Sequence, residues 1–191
     1  MFTKYFLICV FVFLSSSDLF SQSFQSLNFE GAGYVTEVYA PTHVTGLLYC
    51  RTDIGGLYRS EGYPATWEFI SQQFISPGGL MIQGLAYYYQ GNPGFIIIAC
   101  GTDYLPNDPN RGVWKSNNAW QGNPVTWTKT LDINFGGNDD YLKVGGECIT
   151  FDNNLWSSNI VYVGGLNSGI FRSNNTGDTW TQIASNTQVT V

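Results

Sequence analysis

Apolar residues in this chain come in short runs, broken by glycine, proline and asparagine, and the runs repeat. Tyr34 to Tyr39, Ile82 to Tyr89 and Glu147 to Phe151 form one set. Leu47 to Arg51, Phe95 to Cys100 and Ile160 to Val163 follow them as a second. Runs of this length, bounded by turn formers such as Asn92-Pro93-Gly94, predict β-strands. A third set consists of near copies: Gly56-Leu-Tyr-Arg-Ser60, Gly112-Val-Trp-Lys-Ser116 and Gly169-Ile-Phe-Arg-Ser173. Its glycines recur at intervals of 56 and 57 residues. Thr66-Trp67-Glu68, Thr126-Trp127-Thr128 and Thr179-Trp180-Thr181 then mark a fourth strand in each unit.

Four short strands repeated three times predict an all-β fold, an incomplete β-propeller of three four-stranded antiparallel blades. Blade 1 is expected over about 31–72, blade 2 over about 80–131 and blade 3 over about 145–185. Beyond the first residues, no segment carries a 3.6-residue apolar period. In such a meander the connections alternate between two faces. The strand 2–3 turns share a face with the links between blades, and this face receives Asp53 to Gly56, Ser71 to Gly79, Asp103 to Arg111 and Leu131 to Gly146. Long loops on a rigid scaffold are where binding surfaces are built, so this is the candidate working face.

The N-terminus reads as an address. Lys4 supplies positive charge, Tyr5 to Leu14 is an unbroken apolar run of ten residues, and Ser15 to Ser17 are small. The run is too short to span a bilayer and predicts a cleaved signal peptide, residues 1–21, with cleavage after Ser17 or after Ser21. The protein is therefore expected to be secreted, extracellular or periplasmic. Loss of Cys9 leaves Cys50, Cys100 and Cys148, an odd number within apolar runs, which reads as buried free thiols.

Composition sharpens the picture in two ways. Charged residues make up 12% of the chain and the net charge is −6, without a basic run, which argues against a nucleic-acid partner and suits a neutral polysaccharide. No His/Cys/carboxylate spacing suggests a metal, and no cofactor is implied. His43, in a strand 1–2 turn, lies away from the candidate face.

Two motifs carry resemblances. Ser173-Asn-Asn-Thr-Gly-Asp-Thr-Trp180 resembles the Asp-box, Ser-x-Asp-x-Gly-x-Thr-Trp, with Asn175 in the third position, and Ser116-Asn117-Asn118 with Trp127 resembles a second copy carrying an insertion. Its chemistry is that of a turn, so its expected role is structural. Gly31-Ala-Gly-Tyr-Val35 followed by Gly46-Leu-Leu-Tyr-Cys-Arg-Thr-Asp-Ile-Gly-Gly-Leu-Tyr-Arg59 resembles the opening blade of glycoside hydrolase family 74, the xyloglucanases. The similarity continues more loosely through Ala99 to Thr102, Gly136 to Asn138, Gly146-Glu147 and Gly169 to Trp180.

That resemblance implies a fragment of a seven-bladed propeller, needing further C-terminal blades, from an enzyme that cuts β-1,4-glucan backbones with inversion. Asp53 then matches the catalytic general base, and the acid comes from a second propeller, so the fragment alone is expected to be inactive. Gly55 and Gly56 would let a sugar approach closely, and Tyr34, Tyr104 and Tyr141 would be stacking aromatics. The family's Trp-rich stretch before its second blade is missing, since Phe69 to Gly79 holds no Trp. Two alternatives stay open: Asp53 caps a turn before Gly-Gly, or the chain is a non-catalytic sortilin-like propeller that binds a protein or glycan.

Overall fold

A computed structural model describes residues 33–41, 44–62, 66–89, 94–102, 105, 107–135, 148–152, 159–165 and 168–185. Twelve strands lie among them. The first antiparallel sheet runs β1 (Val35–Tyr39), β2 (Leu47–Thr52), β3 (Leu57–Glu61) and β4 (Trp67–Phe69), paired in chain order. The second runs β5 (Ile82–Tyr88), β6 (Phe95–Cys100), β7 (Gly112–Ser116) and β8 (Thr128–Leu131). The third runs β9 (Ile149–Phe151), β10 (Val161–Gly165), β11 (Gly169–Ser173) and β12 (Thr181–Ala184). These are three four-stranded blades of an incomplete propeller, as the repeat predicts.

Strand periodicity explains the stacking. Side chains alternate across a strand, and β6 uses both of its faces. Ile96, Ile98 and Cys100 pack with Leu47, Tyr49, Leu57 and Trp114 in the core between the first two blades. Ile97 and Ala99 point the other way, into the core formed with Ile149, Val161, Val163 and Phe135. A strand buried on both faces needs an unbroken apolar run, and Phe95-Ile-Ile-Ile-Ala-Cys100 supplies it. Fully burying each isoleucine contributes about 1.5–3 kcal/mol.

Two buried arginines lash blade 1 to blade 2. Arg51 pairs with Glu37 at 2.5 Å and donates from Nη1 to the Ile82 carbonyl at 2.9 Å. Arg59 pairs with Glu68 and donates to the Ala119 carbonyl at 2.9 Å. Each buried charge thereby has a counter-ion and a carbonyl, as its desolvation requires. Tryptophans join the outer strands of neighbouring blades. Trp127 Nε1 donates to the Ile70 carbonyl at 3.0 Å, and Trp180 Nε1 to Thr130 Oγ1 at 3.1 Å.

One element departs from the strand-only pattern. Pro77–Leu80 forms a single helical turn, α1, in the link between blades 1 and 2. Four residues are too few to show a helical period, and Pro77 at the first position is suited to start one. The Thr-Trp pairs also differ in register. Trp67 lies inside β4, whereas Trp127 and Trp180 precede β8 and β12.

Candidate active site

Asp53 follows the last residue of β2 and begins the turn into β3. That turn is held without its carboxylate. Thr52 Oγ1 accepts the Gly55 N–H at 2.7 Å, the Thr52 N–H donates to the Gly56 carbonyl at 3.0 Å, and the Gly56 N–H donates to the Leu80 carbonyl at 2.9 Å. The Asp53 carboxylate instead reaches across to the entry of β1, where Oδ1 accepts the Tyr34 N–H at 2.7 Å. Gly33, with φ +119°, lies so close to that oxygen that a Cβ there would collide with it. Asp53 is half-buried, so the carboxylate is reachable from solvent.

The connections expected to share a face do converge. The Asp53 turn touches the link between the first two blades through Gly56 and Leu80, and through the Leu57 N–H, which donates to Ser71 Oγ at 2.7 Å. That link is tied to the β6–β7 loop by Asp108. Its Oδ1 accepts from Ser76 Oγ at 2.5 Å and from the Asn110 N–H at 2.8 Å, and its Oδ2 accepts from the Gly78 N–H at 2.9 Å. Partial burial opposes ionisation of Asp108, but these three donors and nearby Lys129 outweigh it and hold the carboxyl below the usual range. In blade 3, Ser168 Oγ donates to the Asn134 carbonyl at 2.7 Å, joining the next link to the β10–β11 turn.

Tyr34 presents its ring to solvent, 80% exposed, one bond from the carboxylate it holds. Gly55 and Gly56 are buried. A Cβ at Gly56, where φ is +86°, would lie 2.8 Å from the Phe69 ring and 3.1 Å from Leu80 Cδ2. The missing side chain at Gly56 thus lets the turn pack beneath α1, which is a reason for glycine other than close approach by a ligand. Tyr104, Tyr141, His43, the further acids Asp139, Asp140 and Glu147, and residues 1–21, expected to be a signal peptide, lie outside the described residues.

Two features of this face escape sequence reading. Ile75 is 93% exposed between Phe74, buried against Trp114, and Ser76, held by Asp108. Ile54, next to Asp53, is also exposed. Apolar residues in short runs read as strand positions, so neither offers a signal of its own. Among the described residues no group of three or more His, Cys, Asp or Glu side chains could hold a metal ion. No helix among them is long and apolar enough to cross a membrane.

The opposite face carries the two Ser-x-Asn turns, and they form nearly the same knot. Asn175 Oδ1 accepts from Ser173 Oγ at 2.9 Å and from the Thr179 N–H at 2.9 Å. Asn118 Oδ1 accepts from Ser116 Oγ at 3.0 Å and from the Thr126 N–H at 3.0 Å, across the longer loop. Each asparagine accepts where an aspartate could, and each knot delivers the following tryptophan to the preceding blade.

A solved GH74 xyloglucanase from Xanthomonas campestris superposes with a TM-score of 0.66 at 25% identity, over 86% of this chain and 22% of that one. The likeness is to the xyloglucanases of glycoside hydrolase family 74. Curated sequences agree. Xyloglucanase Xgh74A of Acetivibrio thermocellus is 29% identical over 169 residues, covering 81% of this chain. A probable oligoxyloglucan-reducing end-specific xyloglucanase of Neosartorya fischeri is 26% identical over 162 residues, covering 84%. The chain spans only 18% and 19% of the lengths of these two xyloglucanases. No protein-family model matches it.

Proposed function

We propose that the full-length protein containing these blades is a secreted glycoside hydrolase that cuts the β-1,4-glucan backbone of xyloglucan. Asp53 acts as general base in an inverting mechanism. The observation that carries this reading is the placement of the Asp53 carboxylate, at a strand exit on the loop-bearing face, with the N–H groups of Thr52, Gly55 and Gly56 already paired with other groups. The relatives' xyloglucanase names supply the substrate class.

The chemistry follows from what one carboxylate can do. A base takes a proton from water as that water attacks the anomeric carbon, and a second carboxyl protonates the leaving oxygen. Inversion needs about 6.5–9.5 Å between the two groups, to leave room for the water. The Tyr34 N–H fixes Oδ1 and leaves Oδ2 to orient that water. The acid is expected from a second propeller, as the family resemblance implies, so these three blades alone are expected to be inactive. The Tyr34 ring, beside the base, is placed to pack on a sugar face.

The test uses the full-length enzyme on tamarind xyloglucan, with the first product's anomeric configuration read by proton NMR. The α-anomer forming first supports inversion. The β-anomer forming first overturns the mechanism, and no product from any β-1,4-glucan overturns the hydrolase reading.

A further inference from the structure

Asp108 is drawn into bonds that its own loop does not need. Its contact with the Asn110 N–H, two residues on, shapes the β6–β7 loop in the ordinary way of an Asp before a turn. Its bonds to Ser76 Oγ and to the Gly78 N–H reach back 32 and 30 residues, to the link between the first two blades. Asn110 Nδ2 adds a bond to Ser76 Oγ at 2.7 Å. Space has been cleared for this junction. A Cβ at Gly78 would run into the Asp108 carboxylate, and one at Gly79 would lie 2.7 Å from the Cβ atoms of Asn110 and Phe74.

The helical turn held at this junction cannot hold itself. A single turn lies far below the length at which helices are stable alone. Ser76 stands at its N-cap position but makes no capping bond; its hydroxyl donates to Asp108 and accepts from Asn110 Nδ2. The fixed position of α1 therefore comes from outside it. At the other end, Leu80 offers its carbonyl to the Gly56 N–H at 2.9 Å and its side chain to the space beside Gly56. Gly56 closes the turn that Asp53 opens.

We propose that Asp108 is a positioning residue for Asp53: through Gly78, α1 and Leu80 it fixes the turn that carries the candidate base. The proposal rests on the reading of Asp53 given above. It makes the link between the first two blades, rather than β2 alone, the part that sets where the carboxylate stands.

The experiment compares wild type with Asp108→Ala and Ser76→Ala in the full-length protein, by peptide-level hydrogen exchange and by steady-state kinetics on xyloglucan. In Asp108→Ala, exchange over residues 53–57 should rise about tenfold while β6 stays protected. The kcat should fall by about tenfold or more with KM within twofold, since small displacements of a reacting group are costly. Ser76→Ala, which removes the hydroxyl's bonds to Asp108 and Asn110 but keeps the Asp108 bond to the Gly78 N–H, should shift both in the same direction by less, and it decides the matter if Asp108→Ala does not fold. Unchanged exchange over 53–57 overturns the proposal, because Asp108 then shapes only its own loop. Faster exchange with unchanged kcat overturns the positioning claim and leaves the hydrolase reading intact. If the wild type releases no product, the hydrolase reading falls and exchange over 53–57 alone judges the brace.

Discussion

Tyr34 and Asp53 hold each other twice: the Tyr34 N–H donates to Asp53 Oδ1 at 2.7 Å, and the Asp53 N–H donates to the Tyr34 carbonyl at 3.0 Å. The pair closes the end of the β1–β2 ladder and turns one carboxylate oxygen toward the neighbouring strand. It also makes Asp53 depend on the backbone at residues 33 and 34 as well as on its own turn.

Gly33→Ala should therefore move the carboxylate. Residue 33 has φ +119°, and the added methyl meets Asp53 Oδ1 and lies 3.1 Å from Ile54 Cγ1. Strain of about 1–3 kcal/mol is expected at such a dihedral. The kcat on xyloglucan should drop tenfold or more, by the cost of misplacing a reacting group. Tyr34→Ala keeps the backbone donor, so it should leave kcat nearly intact and raise KM, by up to about tenfold if the ring packs on sugar. Equal losses of kcat in both variants would contradict this separation of backbone from ring.

Trp127→Phe tests the staple between blades. The indole N–H satisfies the Ile70 carbonyl, and Phe leaves that buried acceptor without it. The expected loss is about 1–3 kcal/mol, seen as a fall in Tm of several degrees. An unchanged Tm would show that the bond contributes little beyond the packing of the ring on Phe74.

Thiol chemistry follows from burial. Burial pushes the Cys50 thiol up to about 11 and the Cys148 thiol up to about 12, and it raises Cys100 as well, helped by the nearby Cys148. Natively, these three should not react with a disulfide reagent at pH 8, and all should react after unfolding. The sign for stability is set by the same shifts. Unfolded thiols lose their protons near pH 8.5, while the folded ones keep them. Unfolding free energy should therefore fall as pH rises from about 8.5 toward 11. Fast native labelling of Cys50 would contradict the packing of β2.

The blades were readable because burial writes itself into strand patterns. Phe95 to Cys100 announces a strand covered on both faces, and the glycine that opens each third strand marks the repeat. Asp53 stands out in the sequence through the string around it, Arg51 to Gly56. Its bonding does not, because Tyr34 lies 19 residues away and the choice between a neighbouring strand and its own turn depends on register. For the same reason the packing use of Gly56, which makes room for Leu80 and Phe69, has no local signal in the sequence. In the sequence Asp108 is any Asp in a loop; only the fold brings Ser76 and Gly78 beside it. The exposure of Ile75 arises from two pinned neighbours, which no periodicity encodes.

The most direct test of the central claim is reducing-end release from xyloglucan by the full-length protein and its Asp53→Asn variant. Both should have the same Tm, because the amide oxygen can still accept from Tyr34. If Asp53 is the base, activity should fall about 10²–10⁴-fold with KM little changed. An Asp53→Asn enzyme that retains most of its wild-type rate would contradict the account.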